Sequence, residues 1–460
     1  MKEFTATIAA ISTPPGKGGV ALIRVSGEDA ITICSRCFAP KNKRPLTEQP
    51  ARYAIYGDIL HEGTVIDDGI ATIFTAPASY TGEDTVEITC HGGILITQLV
   101  LESLFAAGAR PASPGEFTKR AFISGKLDLT QAEAVAGLLE AESREQISLS
   151  VAQTRGVLSK EISTLYENLR HTVSAIYAKI DFPDEDLSEI GPQELYDIVQ
   201  KLCDSIDELC KTYKTGRAIY EGISTVICGR PNTGKSSLYN AIAGEELAIV
   251  TDFAGTTRDL LSANIPFGRV MLRLFDTAGI RQTDEPIEKI GIERAISKIS
   301  QAELILAVFD GSNPLTDEDL SLINQLKKAT GKVIALVNKS DLPCLADLSL
   351  LDKTFDFVIR ISCLEGRGIE DLQRCVNRLF TDEALSTRQD AIVTNARQYA
   401  SLVRALDYAK GALSALSSGL AVDVACADLE GALAALAELD GRAVSEDIVN
   451  EIFSRFCVGK

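Results

Sequence analysis

Residues 229–236 read Gly-Arg-Pro-Asn-Thr-Gly-Lys-Ser, a complete phosphate-binding loop. Glycines let backbone N–H groups approach phosphate oxygens, and the start of the helix that follows favours negative charge. In such a loop Asn232, Thr233, Gly234, Lys235, Ser236 and Ser237 surround a nucleotide's phosphates. Lys235 reaches the terminal phosphates and the Ser236 hydroxyl sits on Mg²⁺. Asp276-Thr277-Ala278-Gly279 closes an apolar run, and an Asp there holds Mg²⁺ directly or through water. Asn338-Lys339-Ser340-Asp341 ends another such run. The Asp341 carboxylate can accept hydrogen bonds from guanine N1–H and N2–H₂. Adenine has neither donor, a discrimination on the order of 10⁴. Ser362-Cys363 supplies a backbone contact to the base. Four motifs in this order describe a GTP-binding domain.

The hydrolytic machinery departs from a common pattern. Many GTPases carry Gln after Asp-x-x-Gly to orient water; here the position is Ile280, which cannot. Either hydrolysis is very slow or another group serves, and Glu285 and Glu288 lie downstream. Asn232 admits two readings, a turn-stabilising side chain or an oxygen ligand for a monovalent cation beside the β- and γ-phosphates. Within Thr256-Thr257-Arg258-Asp259, Thr257 can close on Mg²⁺ and the γ-phosphate.

These residues need a scaffold. Apolar runs at 223–228, 270–275, 304–309, 333–337 and 357–361 alternate with helical patterns near 236–243, 287–300, 317–329 and 369–380. Alternating β and α implies a parallel sheet covered on both faces, with ligand at the carboxyl ends of its strands. Upstream, β-type runs at Thr5–Ile11, Gly19–Val25, Ile70–Phe74 and Val86–Cys90, with a helix at Ile96–Leu104, suggest a separate α+β domain. Leu165, Leu169, Val173, Ile176 and Ile180 form one apolar stripe, and Asp181-Phe182-Pro183 ends that helix. Leu429, Leu433, Leu436 and Leu439 form another. Ser445 caps a further helix in which Ile448, Ile452, Phe453 and Phe456 face a core. The plan is a multidomain α/β chain: an N-terminal α+β domain at 1–118, a helical bundle from segments 119–216 and 383–460, and an inserted Ras-like P-loop domain with a mostly parallel sheet at 217–382.

Bulk properties narrow the class. A chain of 460 residues holds two to four domains, and 45% hydrophobic with 24% charged residues is ordinary for a globular protein. No apolar run spans a bilayer and residues 1–20 lack a signal pattern, so a cytoplasmic location without membrane contact is expected. Eleven scattered cysteines fit reduced thiols, with Cys34 and Cys37 as a helical packing pair. His61, His91 and His171 are too separated for a histidine-based metal site. The net charge of −18 excludes a generally basic nucleic-acid-coating protein but not a local basic patch.

The chain resembles the tRNA modification GTPase MnmE (TrmE) family from end to end. The strings that carry the resemblance are Thr13-Pro14-Pro15-Gly16-Lys17-Gly18-Gly19-Val20, Arg110-Pro111-Ala112 through Glu116-Phe117, Gly125-Lys126-Leu127-Asp128-Leu129, Asp181-Phe182-Pro183, Gly255-Thr256-Thr257-Arg258-Asp259 and Phe456-Cys457-Val458-Gly459-Lys460. The resemblance implies a potassium-stimulated GTPase. With the flavoprotein MnmG, which alone carries FAD, it adds a carboxymethylaminomethyl or aminomethyl group to C5 of the wobble uridine of certain tRNAs. The one-carbon unit comes from 5,10-methylene-tetrahydrofolate, for which 5-formyl-tetrahydrofolate is an analogue. The resemblance further implies a homodimer made by the N-terminal domain and a heterotetramer or larger complex with MnmG. It assigns K⁺ to Asn232 with main-chain oxygens of Thr251, Phe253 and Thr256, and water orientation to Glu288. It assigns folate contacts to Arg24, Glu87, Lys126 and Lys460, with Cys457 lining that site. The competing reading is a regulatory or ribosome-assembly GTPase that binds RNA without modifying it; the N-terminal domain and the Cys-Val-Gly-Lys string favour the modifying enzyme.

Overall fold

A computed structural model describes residues 6–181, 191–244, 262–275, 299–419 and 422–460. They fall into two compact units. One collects the described residues of 6–139, 153–181 and 429–460; the other collects those of 140–152, 191–244, 262–275, 299–419 and 422–428.

In the first unit, β1 (Ile8–Ile11), β2 (Gly18–Ser26), β3 (Phe38–Pro40), β4 (Ala54–His61), β5 (Thr64–Phe74), β6 (Thr85–Gly92) and β7 (Arg110–Pro111) form a seven-stranded sheet. The order is β3-β4-β5-β6-β2-β1-β7, and only the β1–β7 pair is parallel. Side chains alternate across a strand. Ile23 and Val25 of β2, with Val86, Ile88 and Cys90 of β6, therefore enter one core with the helices Ala30–Cys37 and Ile94–Ala106. Arg24 and Glu87, register partners on β2 and β6, lie on the opposite face. There Ile8 and Ala10 meet Ala112 and Phe117, the last from the helix Glu116–Ile123. Phe453 packs against Phe122 and Phe456 at ring-centroid distances of 6.1 and 5.4 Å.

The second unit contains β8 (Ile223–Cys228), β9 (Ser262–Phe267), β10 (Val270–Phe275), β11 (Leu304–Asp310), β12 (Lys332–Asn338) and β13 (Phe357–Arg360), in the order β13-β12-β11-β8-β10-β9. All pairs are parallel except β9–β10. Every residue of β11 is buried. Leu304, Leu306 and Val308 enter one core, while Ile305, Ala307 and Phe309 enter the other. Such double burial is what helices on both faces of a parallel sheet require. Between β10 and β11, β8 marks the point where strand order reverses, the usual ligand crevice of open α/β sheets. In the same unit the helices Pro192–Tyr220 and Ala396–Ser417 pair, with Tyr213 stacked on Tyr399 at 4.4 Å.

The expected parallel-sheet strands and the helix 369–380 stand where the sequence places them, within a residue or so at each end. Cys34 and Cys37 are both buried on one helix. Ser445 caps its helix by accepting the Ile448 N–H. Two expectations need correction: Ile448 is 43% exposed and Ile180 is 47% exposed. The buried line of the helix Glu446–Ser454 runs through Val449 and Phe453, one residue off the position of Ile448. Among the described residues, no helix is long and apolar enough to cross a membrane.

Candidate functional site

The phosphate loop follows β8 directly, and the helix Lys235–Ala243 begins after Gly234, whose φ is +100°. Asn232 takes φ +63°, a left-handed conformation that Asn tolerates better than most side chains. The Thr233 hydroxyl donates to the Arg230 carbonyl at 3.0 Å, and Lys235 Nζ donates to the same carbonyl at 2.9 Å. Burial pushes the Lys235 ammonium below its usual range. A partly dehydrated cation held by one carbonyl is suited to arriving phosphate oxygens. Ser236 and Ser237 occupy the first turn of the helix.

Asn338 ties this loop to the base side. Its Nδ2 donates to the Thr233 carbonyl at 2.9 Å, and its Oδ1 accepts the Cys363 N–H at 3.1 Å. A Cβ on Gly234 would stand 2.1 Å from that Nδ2, so only glycine lets the loop and Asn338 meet. The Ser362 hydroxyl donates to Asp341 Oδ1 at 2.6 Å. That bond more than any other contact holds the Asp341 carboxyl below its usual range, keeping it an acceptor. Lys339, at φ +65°, bonds Asp310 Oδ2 at 2.7 Å. Burial pushes the Asp310 carboxyl up, but bonds from Lys339, Ser312 and Asn313 outweigh it and hold the group well below the carboxylate range.

Sequence reasoning missed three participants. Asp310 anchors Lys339, and its signal was an Asp closing the apolar run of β11 on the side where the motifs cluster. Arg230 and the buried Asp319 form a pair at 3.2 Å that braces the loop, and no local pattern marks it. Thr251, Phe253, Thr256, Thr257, Asp276, Thr277, Ala278, Gly279, Ile280, Glu285 and Glu288 lie outside the described residues. Of the expected Mg²⁺ ligands Ser236 is described, and of the expected K⁺ ligands Asn232.

A second constellation lies in the first unit. Arg24 meets Glu87 Oε1 through Nε at 2.9 Å and through Nη2 at 2.8 Å. Its guanidinium lies 5.1 Å from the Tyr80 ring centre and 5.7 Å from that of Phe117. Among the described residues, Arg24 Nη1 is buried without a hydrogen-bond partner. An orphaned cationic donor costs free energy until an acceptor arrives, and so fits a carbonyl- or carboxylate-bearing ligand. Lys460 joins the pair: burial and then the Arg24 charge push its ammonium down, while Glu87 pulls it up. The segment carrying it is fixed by Ser12 Oγ to the Gly459 carbonyl at 3.0 Å and by Phe117 N–H to the Lys460 carbonyl at 3.2 Å. Lys126 instead is exposed and donates to the Pro77 carbonyl at 3.1 Å. Cys457 is exposed, and its carbonyl accepts the Gly115 N–H at 3.4 Å. The described histidines lie apart: His61 pairs with Ser103 at 2.8 Å and His91 with Asp67 at 2.7 Å.

The strand order, the phosphate loop and the base-side residues together define a guanine-nucleotide-binding P-loop GTPase. Two family descriptions cover most of the chain, "GTP-binding protein TrmE N-terminus" over residues 7–126 and "MnmE helical domain" over 129–457. The chain is 40% identical over 459 residues to a tRNA modification GTPase MnmE of Thermoanaerobacter sp. (strain X514), covering 99% of each. It is 39% identical over 463 residues to that of Lactobacillus acidophilus, covering 100% of this chain and 99% of the relative. The chain belongs to the tRNA modification GTPase MnmE family. Similar solved structures include the G domain of the T. maritima FeoB iron transporter, at 23% identity and TM-score 0.26, covering 34% of this chain and 97% of that one. An Era variant of Aquifex aeolicus bound to GDP.AlF4⁻ matches at 25% identity and TM-score 0.27, covering 40% and 66%.

Proposed function

We propose that this GTPase works with the flavoprotein MnmG to add a carboxymethylaminomethyl or aminomethyl group to C5 of the wobble uridine of certain tRNAs. The domain plan is folate binding and dimerisation at 1–118, GTP hydrolysis at 217–382, and helical segments at 119–216 and 383–460. It acts in the cytoplasm as a homodimer, in a heterotetramer or larger complex with MnmG. Arg24, Glu87 and Lys460 hold the pteridine and glutamate ends of a methylene-tetrahydrofolate, with Lys126 contributing charge. Ser236, Thr257 and Asp276 hold Mg²⁺. Asn232, with main-chain oxygens of Thr251, Phe253 and Thr256, holds K⁺, which supplies positive charge beside the phosphates where other GTPases use an arginine. Glu288 orients the attacking water through a second water.

The observation that carries this reading is Arg24, with one buried guanidinium nitrogen lacking a partner among the described residues beside Glu87 and Lys460, in a chain that also carries a guanine-reading loop. A GTPase that served only as a switch would have no use for such a site. Nucleoside analysis of tRNA from cells lacking this protein tests the proposal. Wobble uridines bare of the C5 group are expected, and an unchanged nucleoside profile would refute it.

A further inference from the structure

The topology gathers cations at one end of the seven-stranded sheet. β3 is the edge strand and runs antiparallel to β4, with Pro40 opposite Gly57. The pairing continues one residue further, as Lys41 N–H donates to the Tyr56 carbonyl at 3.0 Å. The chain then loops through residues 42–51 and returns at Arg52, whose N–H bonds the Ile73 carbonyl at 2.7 Å just before β4 begins. Lys41, Lys43, Arg44 and Arg52 therefore share one end of the sheet with Tyr53 and Tyr56, and all six are exposed. Residues 41–52 hold four basic residues and one acid, in a chain of net charge −18.

This loop is braced. Leu46 is buried as its anchor. Gln49 Nε2 donates to Asn42 Oδ1 at 2.8 Å and to the Arg44 carbonyl at 2.7 Å, and the Arg44 N–H donates to Asn42 Oδ1 at 3.1 Å. Lys41 pairs with Asp58 and Arg44 with Glu48. Lys43 and Arg52 have no carboxylate partner among the described residues. Both sit at left-handed backbone positions, φ +60° and +64°, which fix where their side chains start. Two cations without a carboxylate partner on a braced loop, beside a 65%-exposed tyrosine, combine the positive charge and the stacking face by which proteins hold nucleic acid. A preorganised loop also loses little freedom on binding.

We propose that this end of the sheet docks the phosphate backbone of RNA, with Lys43 and Arg52 contacting phosphates and Tyr53 facing a base. The inference rests on the tRNA reading above and names where that substrate touches this acidic chain. The test uses the full chain without its partner, measuring the fluorescence anisotropy of labelled tRNA across a salt series. The variant Lys43→Asn with Arg52→Asn removes both charges while keeping residues that accept left-handed backbone. Affinity should fall roughly tenfold, and the slope of log K against log salt should flatten by about 2, close to one unit per lost phosphate contact. Lys43→Arg with Arg52→Lys should restore both, and the GTPase rate should not change in either variant. An unchanged slope overturns the inference alone. So does loss of binding to phosphatidylserine vesicles with tRNA binding intact, which would point to a membrane surface. Failure of the unaltered chain to retain tRNA also overturns it. The tRNA reading itself falls only if nucleosides stay modified in cells lacking the chain.

Discussion

Asn338 donates to the carbonyl of Thr233 across 2.9 Å of buried space, while its other amide atom accepts from the Cys363 backbone at 3.1 Å. One side chain at the end of β12 thus spans the phosphate loop after β8 and the base-side loop after β13. The two halves of the nucleotide site are tied by the same group.

Asn338→Ala should unfasten both loops. It removes the hydrogen bonds to the buried Thr233 carbonyl and the partly buried Cys363 N–H, at about 1–3 kcal/mol each. Titration with a fluorescent GDP analogue should show affinity reduced roughly tenfold to a hundredfold. Affinity equal to that of the unaltered protein would mean the bridge is ornamental.

Asp341→Asn should change which base is bound. Asn offers a donor where guanine presents another, but xanthine presents a carbonyl. GTP affinity should fall by about a hundredfold or more while XTP affinity rises. Competition binding with both nucleotides decides it, and unaltered preference for GTP would move base reading elsewhere.

Hydrolysis should depend on the monovalent cation. The rate in K⁺ should exceed that in Na⁺ by at least about tenfold, a fraction of what an arginine finger supplies. Asn232→Gly keeps the left-handed backbone without strain and should abolish the difference. Equal turnover in the two salts for the unaltered protein would remove K⁺ from the mechanism.

Arg24→Ala should abolish reduced-folate binding and leave GTP affinity intact. Arg24→Lys should rescue little, because an ammonium lacks the planar fork that spans Glu87 and a ligand. Calorimetry with 5-formyl-tetrahydrofolate reads the outcome, and undiminished heat from Arg24→Ala would dismiss the pocket.

Histidine 91 should titrate high. Its hydrogen bond to Asp67, then the Asp67 charge, raises the imidazole above its ordinary value. A raised folded-state value means the pair stabilises fully below the unfolded value, and this is lost as pH rises through the folded one. Desolvation pushes the Asp67 carboxyl up, but the His91 backbone and ring bonds bring it below its usual range. Its own share is therefore present above the unfolded carboxylate value and lost on acidification. NMR titration of the ring protons should place His91 above about 6.5, with Asp67→Asn bringing it back. A midpoint at or below the ordinary value would contradict the pair.

Much of the nucleotide domain was legible because its signals are local. Apolar runs end in motif residues, and the glycines and Lys235 fall in fixed spacing. β4 was not legible, and the reason is physical. Its inward positions are Ile55, Gly57 and Ile59, and a Cβ on Gly57 would stand 2.4 Å from the Phe38 ring. The ring occupies the place of a side chain, so the alternating pattern has a gap where the strand is best packed. Arg230–Asp319 and the Tyr80 and Phe117 rings over Arg24 join residues far apart in sequence, and no window of the chain displays them. For Lys460 and Arg24, a shared site followed from the family resemblance; the residues by themselves read as a solvent-facing lysine and a strand-end charge.

Ser12 and Gly459 are bonded to each other across 447 positions. A ribosome delivers the first long before the second. Throughout translation of the intervening codons, the nascent first unit lacks the segment whose carbonyls meet Ser12 and the Phe117 N–H. A message cut short in that interval, but after the helix Ile369–Phe380, yields a chain with every described strand and base-side residue of the nucleotide domain but missing one wall around Arg24. Such a fragment would carry the nucleotide domain without a complete pocket at Arg24, so messages truncated there are expected to be more harmful to a cell than no message at all.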